Sequence, residues 1–321
     1  MQIRAFVVAV VLVVGVAVQA AEAQTQTLVQ QVRAALNTQN FGEAERILTA
    51  SERVEGRTPM WLEAYSWLGR AALAAKQYDR ADRYAQQAHQ MALAALKSRT
   101  MDQEPRLPIA LGAAIEVQGH LLAETGARSE GVAFLQREFN TYKSTSIAMR
   151  IQKNLNLLTL EGTRAPELDR SEGLGGKTLS LADVKGKVTV LFFWAHWCPD
   201  CKNEAPILEA LLDKYKGRDF AIVAPTQRYG YAVRGTDASP AEEKKHIEQV
   251  RQQYYSFLPQ EAVQLAPANH LRYGVSTTPT MVVLDRQGIV RAYRPGNMSR
   301  QELETLIDRY LAPGTAGQPG L

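Results

Sequence analysis

The fold of this chain is decided by the stretch FFWAHWCPDCK, which runs from Phe192 to Lys202. An apolar, aromatic segment leads into two cysteines separated by two residues, and a charged segment with helical spacing follows. Cys198 and Cys201 are the only cysteines among 321 residues. Two cysteines three apart at the start of a helix lie on one face, at a separation that a disulfide can close.

The two cysteines are expected to differ in role. Cys198 is predicted at the helix N-terminus, where unpaired backbone N–H groups and the helix dipole favour a thiolate. Cys201 lies one turn further on, where it can attack a mixed disulfide formed at Cys198. The pair therefore predicts a centre for thiol–disulfide exchange, with Cys198 as nucleophile and Cys201 as resolving cysteine.

The composition gives no sign of a nucleic-acid partner. The 37 basic and 33 acidic residues leave a net charge of +4, without a long run of one sign. An exported chain that uses cysteine structurally usually carries several spaced pairs. The single close pair in this chain therefore favours redox chemistry over structural stapling.

The N-terminus has the pattern of an export signal. Arg4 precedes an apolar run from Ala5 to Val18, and the cleavage-site patterns Val18-Gln19-Ala20 and Ala21-Glu22-Ala23 follow. The sequence predicts a cleaved signal peptide over residues 1–23 and a periplasmic location. An uncleaved membrane anchor is the alternative, but the run is shorter than the ~20 residues that span a bilayer.

Residues 24–160 are predicted to form an all-α domain. They are rich in Ala, Leu, Gln and Arg, and an aromatic residue stands three positions before Ala44 and again before Ala81. This spacing is similar to tetratricopeptide repeats, with a weaker third copy around Gly119 and Gly131. A plain helical bundle with coincidental spacing is the alternative. We find no catalytic constellation in this half.

Gly and Pro interrupt the helical pattern near residue 161, where strand and helix signals begin to alternate. Strands are predicted over Val188–Trp194, Phe220–Val223, Thr280–Leu284 and Ile289–Tyr293, and helices after Cys198, Ser239 and Ser299. An α/β domain is thus expected over residues 161–313, followed by a disordered tail over 314–321.

This order of elements resembles the thioredoxin fold, a central mixed sheet flanked by helices. More closely, the second half is similar to the exported TlpA/ResA-like disulfide reductases. The matching positions are Ala165-Pro166, Leu181, Gly186-Lys187, Phe193-Trp194-Ala195, Trp197-Cys198-Pro199, Glu204, Pro206, Tyr273-Gly274-Val275, Thr278-Pro279-Thr280, Asp285 and Gly288.

The resemblance implies a reductase of exported protein disulfides, reduced in turn by an external thiol donor. It implies a cis peptide bond at Pro279, beside the dithiol, with backbone groups of Thr278 free to pair with a substrate strand. Trp197, Pro199 and Glu204 are supporting site residues. No cofactor is expected beyond the Cys198–Cys201 pair, and the helical half is expected to hold a protein partner.

The chain departs from thioredoxins in one respect. Thioredoxins carry a buried aspartate six residues before the first cysteine, and Phe192 stands there instead. Glu204 or a water must then deprotonate Cys201. Asp200 should raise the pKa of the Cys198 thiol, whereas His196 either opposes this when protonated or is a solvated loop residue.

Two other functions remain open from the sequence. The thiolates could bind Cu(I) with His196 or His270 as a third ligand, or the domain could be a weakly active interaction scaffold. The segment from Gln227 to Ala266 is longer than the family minimum. Its Tyr229-Gly230-Tyr231 run lines a substrate groove or packs the insertion.

Overall fold

The first half of the chain folds into helices. The computed structural model describes residues 26–233 and 235–312, so the predicted signal peptide and the tail 314–321 lie outside the described residues. Seven helices follow one another: α1 Leu28–Asn37, α2 Phe41–Glu55, α3 Pro59–Ala74, α4 Tyr78–Ala95, α5 Arg106–Glu124, α6 Arg128–Tyr142 and α7 Ala148–Thr159, with a short 3-10 helix over Met101–Gln103.

Small residues let neighbouring helices of this half approach closely. A Cβ added at Gly131 in α6 would lie 2.5 Å from the carbonyl oxygen of Gly119 in α5. A Cβ at Gly119 would lie 2.6 Å from Cγ of Leu135. The all-α class predicted for this half is confirmed, and the small residues at 119 and 131 lie at a helix contact. The assignment to tetratricopeptide repeats stays a prediction.

The second half is built on a mixed sheet. Its strands are β1 Val188–Phe193, β2 Phe220–Val223, β3 Thr280–Leu284 and β4 Val290–Pro295. The order across the sheet is β2-β1-β3-β4, where β1 is parallel to β2 and antiparallel to β3, and β3 is antiparallel to β4. Four helices accompany the sheet: α8 Pro199–Lys214, α9 Pro240–Tyr254, α10 Pro267–Tyr273 and α11 Arg300–Leu311, with a 3-10 helix over Gln260–Ala262.

The predicted fold class, a mixed sheet flanked by helices, is therefore confirmed. All six residues of β1 are buried, as a strand covered on both faces requires. The capping boxes at Ser239 and Ser299 open α9 and α11, as predicted. None of the helices within 26–233 and 235–312 is long and apolar enough to cross a bilayer.

Three strand ends differ from the prediction: β1 ends one residue earlier, β4 begins one residue later, and β4 ends two residues later. β1 stops at Phe193, one residue before the predicted Trp194, although the N–H of Trp194 still donates to the carbonyl of Pro225 at 3.2 Å. β4 runs to Pro295, beyond the predicted Tyr293, and its register with β3 shifts between Val283 and Leu284.

Helix α7 connects the two halves. Its Arg150 and Lys153 lie 3.1 and 3.4 Å from a carboxylate oxygen of Glu116 in α5. On its other side, Nδ2 of Asn156 donates to the carbonyl of Arg272 in α10 at 3.3 Å. The division of the chain into independently folding units at 160/161 stays a prediction.

Candidate active site

The dithiol lies where β1 gives way to α8. The side chain of Trp194, just after β1, donates from Nε1 to the carbonyl of Ala224 at 3.0 Å. Oγ1 of Thr226 donates to the carbonyl of Trp194 at 2.7 Å. The N–H of Cys198 donates to the carbonyl of Ala195 at 3.1 Å. These bonds fix the segment that presents Cys198 at the start of the helix.

Cys198 is the N-cap of α8. Its Sγ accepts a hydrogen bond from the N–H of Cys201 at 3.1 Å. Cys198 and Cys201 form a disulfide with their Cα atoms 5.3 Å apart. Cys198 is 3% exposed and Cys201 is fully buried, so a substrate disulfide reaches Cys198 first. The same N–H group and the helix dipole stabilise negative charge on Sγ once the pair is reduced.

The loop before β3 lies against this sulfur. The Thr278–Pro279 peptide bond is cis, and the carbonyl oxygen of Thr278 lies 3.5 Å from Sγ of Cys198. In the reduced state the Cys198 thiol could donate to that oxygen. The N–H of Gly296 donates to the carbonyl of Pro279 at 2.8 Å, which ties this loop to the end of β4.

Glu204 is a buried carboxyl one turn beyond Cys201. It is 3% exposed, and its Oε2 makes no hydrogen bond. Burial, with a smaller contribution from the charge of Asp200, raises the pKa of this carboxyl to about 7. A group with that pKa exchanges protons near neutral pH, which is what deprotonation of Cys201 requires.

Sequence analysis missed Tyr255, which follows α9. This tyrosine is fully buried, and its ring centroid lies 4.9 Å from that of Trp194 and 5.7 Å from that of Phe192. Burial chiefly, and the nearby charge of Glu204, raise the pKa of its hydroxyl. It brings a neutral hydroxyl near Glu204, and no spacing in the sequence could have indicated that contact.

His196 is buried, so the solvated-loop interpretation is wrong. It is 1% exposed and lies between the rings of Tyr229, Tyr231 and His246 at centroid distances of 5.3 to 5.7 Å. Burial lowers its pKa below the ordinary histidine value. A neutral ring at pH 7 cannot oppose the charge of Asp200, which is exposed. The effect of Asp200 on Cys198 stays a prediction.

The remaining predicted residues border the dithiol. Trp197 is 44% exposed, and Pro199 is also exposed at the first position of α8. The structure gives no support for His270 as a third ligand of a Cu(I) site. This histidine is fully buried, with its ring centroid 5.6 Å from that of Phe193. Over the described stretches, no group of three or more His, Cys, Asp or Glu side chains could hold a metal ion.

Comparison with known proteins concerns the second half. The Redoxin family profile matches residues 160–307. Thioredoxin-like protein YneN of Bacillus subtilis is 31% identical over 148 residues, which cover 46% of this chain and 79% of YneN. Thiol-disulfide oxidoreductase ResA of Bacillus thuringiensis is 29% identical over 148 residues, 46% of this chain and 77% of ResA.

Among solved structures, a thiol:disulfide interchange protein of the thioredoxin family from Chlorobium tepidum is 23% identical. The match covers 47% of this chain and 98% of that protein, with a TM-score of 0.38.

Proposed function

The chain belongs to the family of ResA- and YneN-like, thioredoxin-fold thiol–disulfide oxidoreductases, and on that premise we propose that it is an exported reductase of protein disulfides. The position of Cys198 carries the proposal: it caps α8 through a sulfur that accepts an N–H bond, beside the carbonyl of Thr278.

In the first step, the Cys198 thiolate attacks one sulfur of the substrate disulfide. A new S–S bond forms between Cys198 and that sulfur, the substrate S–S bond breaks, and the second substrate sulfur leaves as a thiolate that takes a proton. The N–H of Cys201 and the helix dipole stabilise the attacking thiolate, because both lie at the N-terminus of α8.

In the second step, Cys201 resolves the mixed disulfide. Glu204 in its carboxylate form takes the Cys201 proton, and the resulting thiolate attacks Sγ of Cys198. The substrate sulfur leaves as the second thiol, so two electrons have passed to the substrate and Cys198 and Cys201 are joined. An external dithiol then reduces this disulfide by the same exchange.

The two cysteines are distinguished by single substitutions in a disulfide-reduction assay. We expect Cys198→Ser to abolish insulin reduction, since the nucleophile is lost. Cys201→Ser should instead accumulate mixed disulfides at Cys198, detectable by mass spectrometry. Faster alkylation of Cys201 than of Cys198 in the reduced protein would overturn the assignment.

The apolar run Ala5–Val18 supports the proposed export to the periplasm. The test is cell fractionation of the native host: the mature protein should lie in the periplasmic fraction and begin near residue 24. Recovery of an uncleaved chain in the membrane fraction would favour the anchor instead.

A further inference from the structure

A loop of the insertion lies directly beside the dithiol. We call residues 229–233 and 235–238 the tyrosine loop. The ring of Tyr229 packs edge-on against the ring of Trp197, with centroids 5.5 Å apart. Tyr231 packs on His196 with centroids 5.5 Å apart. Since Trp197 adjoins Cys198 in the chain, this loop extends the surface around the reactive sulfur.

Glu243 of α9 holds the tyrosine loop in place. Its carboxylate accepts from the N–H of Tyr229 at 2.5 Å and from that of Gly230 at 3.0 Å. The residue is only 1% exposed, and its Oε1 lies 4.0 Å from Nδ1 of His196. Loss of a buried acceptor leaves its donors unsatisfied, which is costly, so this carboxylate fixes where the loop lies.

The loop also has internal order. The N–H of Ala238 donates to the carbonyl of Gly230 at 3.0 Å, and Tyr231 forms an antiparallel bridge with Asp237. The loop and the active-site segment together contribute Val233 and Trp197, which are two of the six exposed large hydrophobic side chains in the described part of the chain. The tyrosine loop is therefore ordered, and together with Trp197 it exposes large apolar side chains.

We propose that Tyr229, Tyr231 and Trp197 form an aromatic wall that binds a large apolar side chain next to the reactive cysteine of the substrate, and that Glu243 positions this wall. The occupant is the cysteine-flanking segment of the protein substrate, so the inference rests on the proposed function. It names the class of substrate preferred: disulfides whose cysteines neighbour aromatic or large aliphatic residues.

The chemistry of the wall supports an apolar occupant. Tyr229 and Tyr231 are half-buried, and burial raises the pKa of both hydroxyls, so they are neutral at pH 7. The wall is continuous with Cys198 through Trp197. The nearby cation Arg228 forms a salt bridge with Glu172. An apolar side chain gains stability on the wall because it loses contact with water, whereas a charged side chain would lose hydration on binding there.

The test uses the full chain and two disulfide-linked peptides that differ in one position. One peptide carries Leu beside its cysteine, and the other carries Gly. The wild-type protein should have a kcat/KM about threefold to tenfold higher for the Leu peptide, chiefly through KM, as expected for one aromatic contact. Tyr229→Ala should remove that preference by lowering kcat/KM for the Leu peptide to about the value for the Gly peptide.

Glu243 is tested by Glu243→Gln, which keeps the shape but leaves only one oxygen for the two N–H donors. We expect part of the Leu preference to be lost through KM, with kcat unchanged. Glu209→Gln is the matched control, because it makes the same chemical change at an exposed position of α8 and should leave both peptides unaffected. Circular dichroism of each variant identifies any general loss of folding.

The outcomes separate the two proposals. If the wild-type protein reduces neither peptide, the proposed reductase function fails. If it reduces both at equal kcat/KM, or if Tyr229→Ala slows both equally, the reductase function stands and the aromatic wall is wrong. A Glu243→Gln variant that is folded and keeps the full Leu preference would contradict the positioning role alone.

Discussion

At the scale of single residues, the central question is how Cys201 loses its proton. Phe192 is fully buried where thioredoxins carry a carboxylate, and Glu204 is the buried carboxyl on the dithiol helix. With a pKa near 7, Glu204 is part carboxylate at neutral pH and can accept the proton. We therefore expect Glu204→Gln to slow the resolving step, so that mixed disulfides persist and the pH–activity profile loses its inflection near 7.

The raised pKa of Glu204 also has a consequence for stability. The carboxyl has a pKa of 4.5 in the unfolded chain and about 7 in the folded protein. The folded state therefore binds this proton more tightly, and the resulting stabilisation is full below pH 4.5 and lost as the pH rises through 7.

Glu204→Gln is neutral at every pH and escapes this loss. The oxidised variant should exceed the wild type in free energy of unfolding at pH 8 by at most about 3 kcal/mol, and the gain should vanish at pH 4. Urea unfolding at the two pH values measures the difference. An equal effect of the substitution at both values would contradict a raised pKa.

Residues of the site differed in how far the sequence could predict them. Cys198 and Cys201 were predicted because their spacing along the chain sets their geometry. Glu243 and Tyr255 were not, since their roles depend on contacts with residues distant in sequence, such as Tyr229 and Trp194. Burial of His196 was missed for the same reason: the insertion covers it, and no local pattern records that packing.

At the scale of elements, the sequence predicted the end of a helix or strand correctly where residues close together in the chain mark that end. The serine capping boxes gave the starts of α9 and α11, because a cap depends on residues three apart. The end of β1 was placed one residue too far. The apolar pattern continues through Trp194, whereas β1 ends at Phe193 and β2 ends at Val223, so an apolar run alone does not mark the last paired residue.

The contact between α5 and α6 yields a prediction for the helical half. Gly131→Ala would place a Cβ 2.5 Å from the backbone oxygen of Gly119, so the helices must separate. We expect a loss of about 1–3 kcal/mol in the free energy of unfolding. Gly42→Ala is the control, because a Cβ in that helix would meet no atom nearer than 3.9 Å. It should be neutral or stabilising by up to about 1 kcal/mol.

Thermal and urea unfolding of the two alanine variants decides the matter. If Gly131→Ala is as stable as Gly42→Ala, close approach of the helices at Gly131 is not required for the packing of this half.

At the scale of the whole molecule, α7 is shared between the halves. A Cβ at Gly274, which follows α10, would lie 2.3 Å from the backbone N of Lys153, so α7 rests directly on the catalytic half. Leu160, just after α7, is buried with Leu191 and Phe193 of the sheet. The sequence places a boundary near 160 because Gly and Pro begin there, but it carries no signal for packing across that boundary.

Two fragments test whether the helical half supports the catalytic half or only recruits substrates. Cys198, Cys201, Glu204 and Thr278 all lie within 161–312, so a fragment of those residues should reduce a small model disulfide at close to the full-length rate. A second fragment, 148–312, keeps α7 and should unfold at a higher temperature, because it retains the contact between Asn156 and Arg272. Both fragments should reduce the native protein substrate more slowly than the full chain does, since a tethered partner surface raises the effective concentration of substrate.

Two outcomes would change this interpretation. If fragment 148–312 is folded and fragment 161–312 is unfolded, the domain boundary lies at the start of α7. If neither fragment reduces the small disulfide, the helical half is a structural support of the active site.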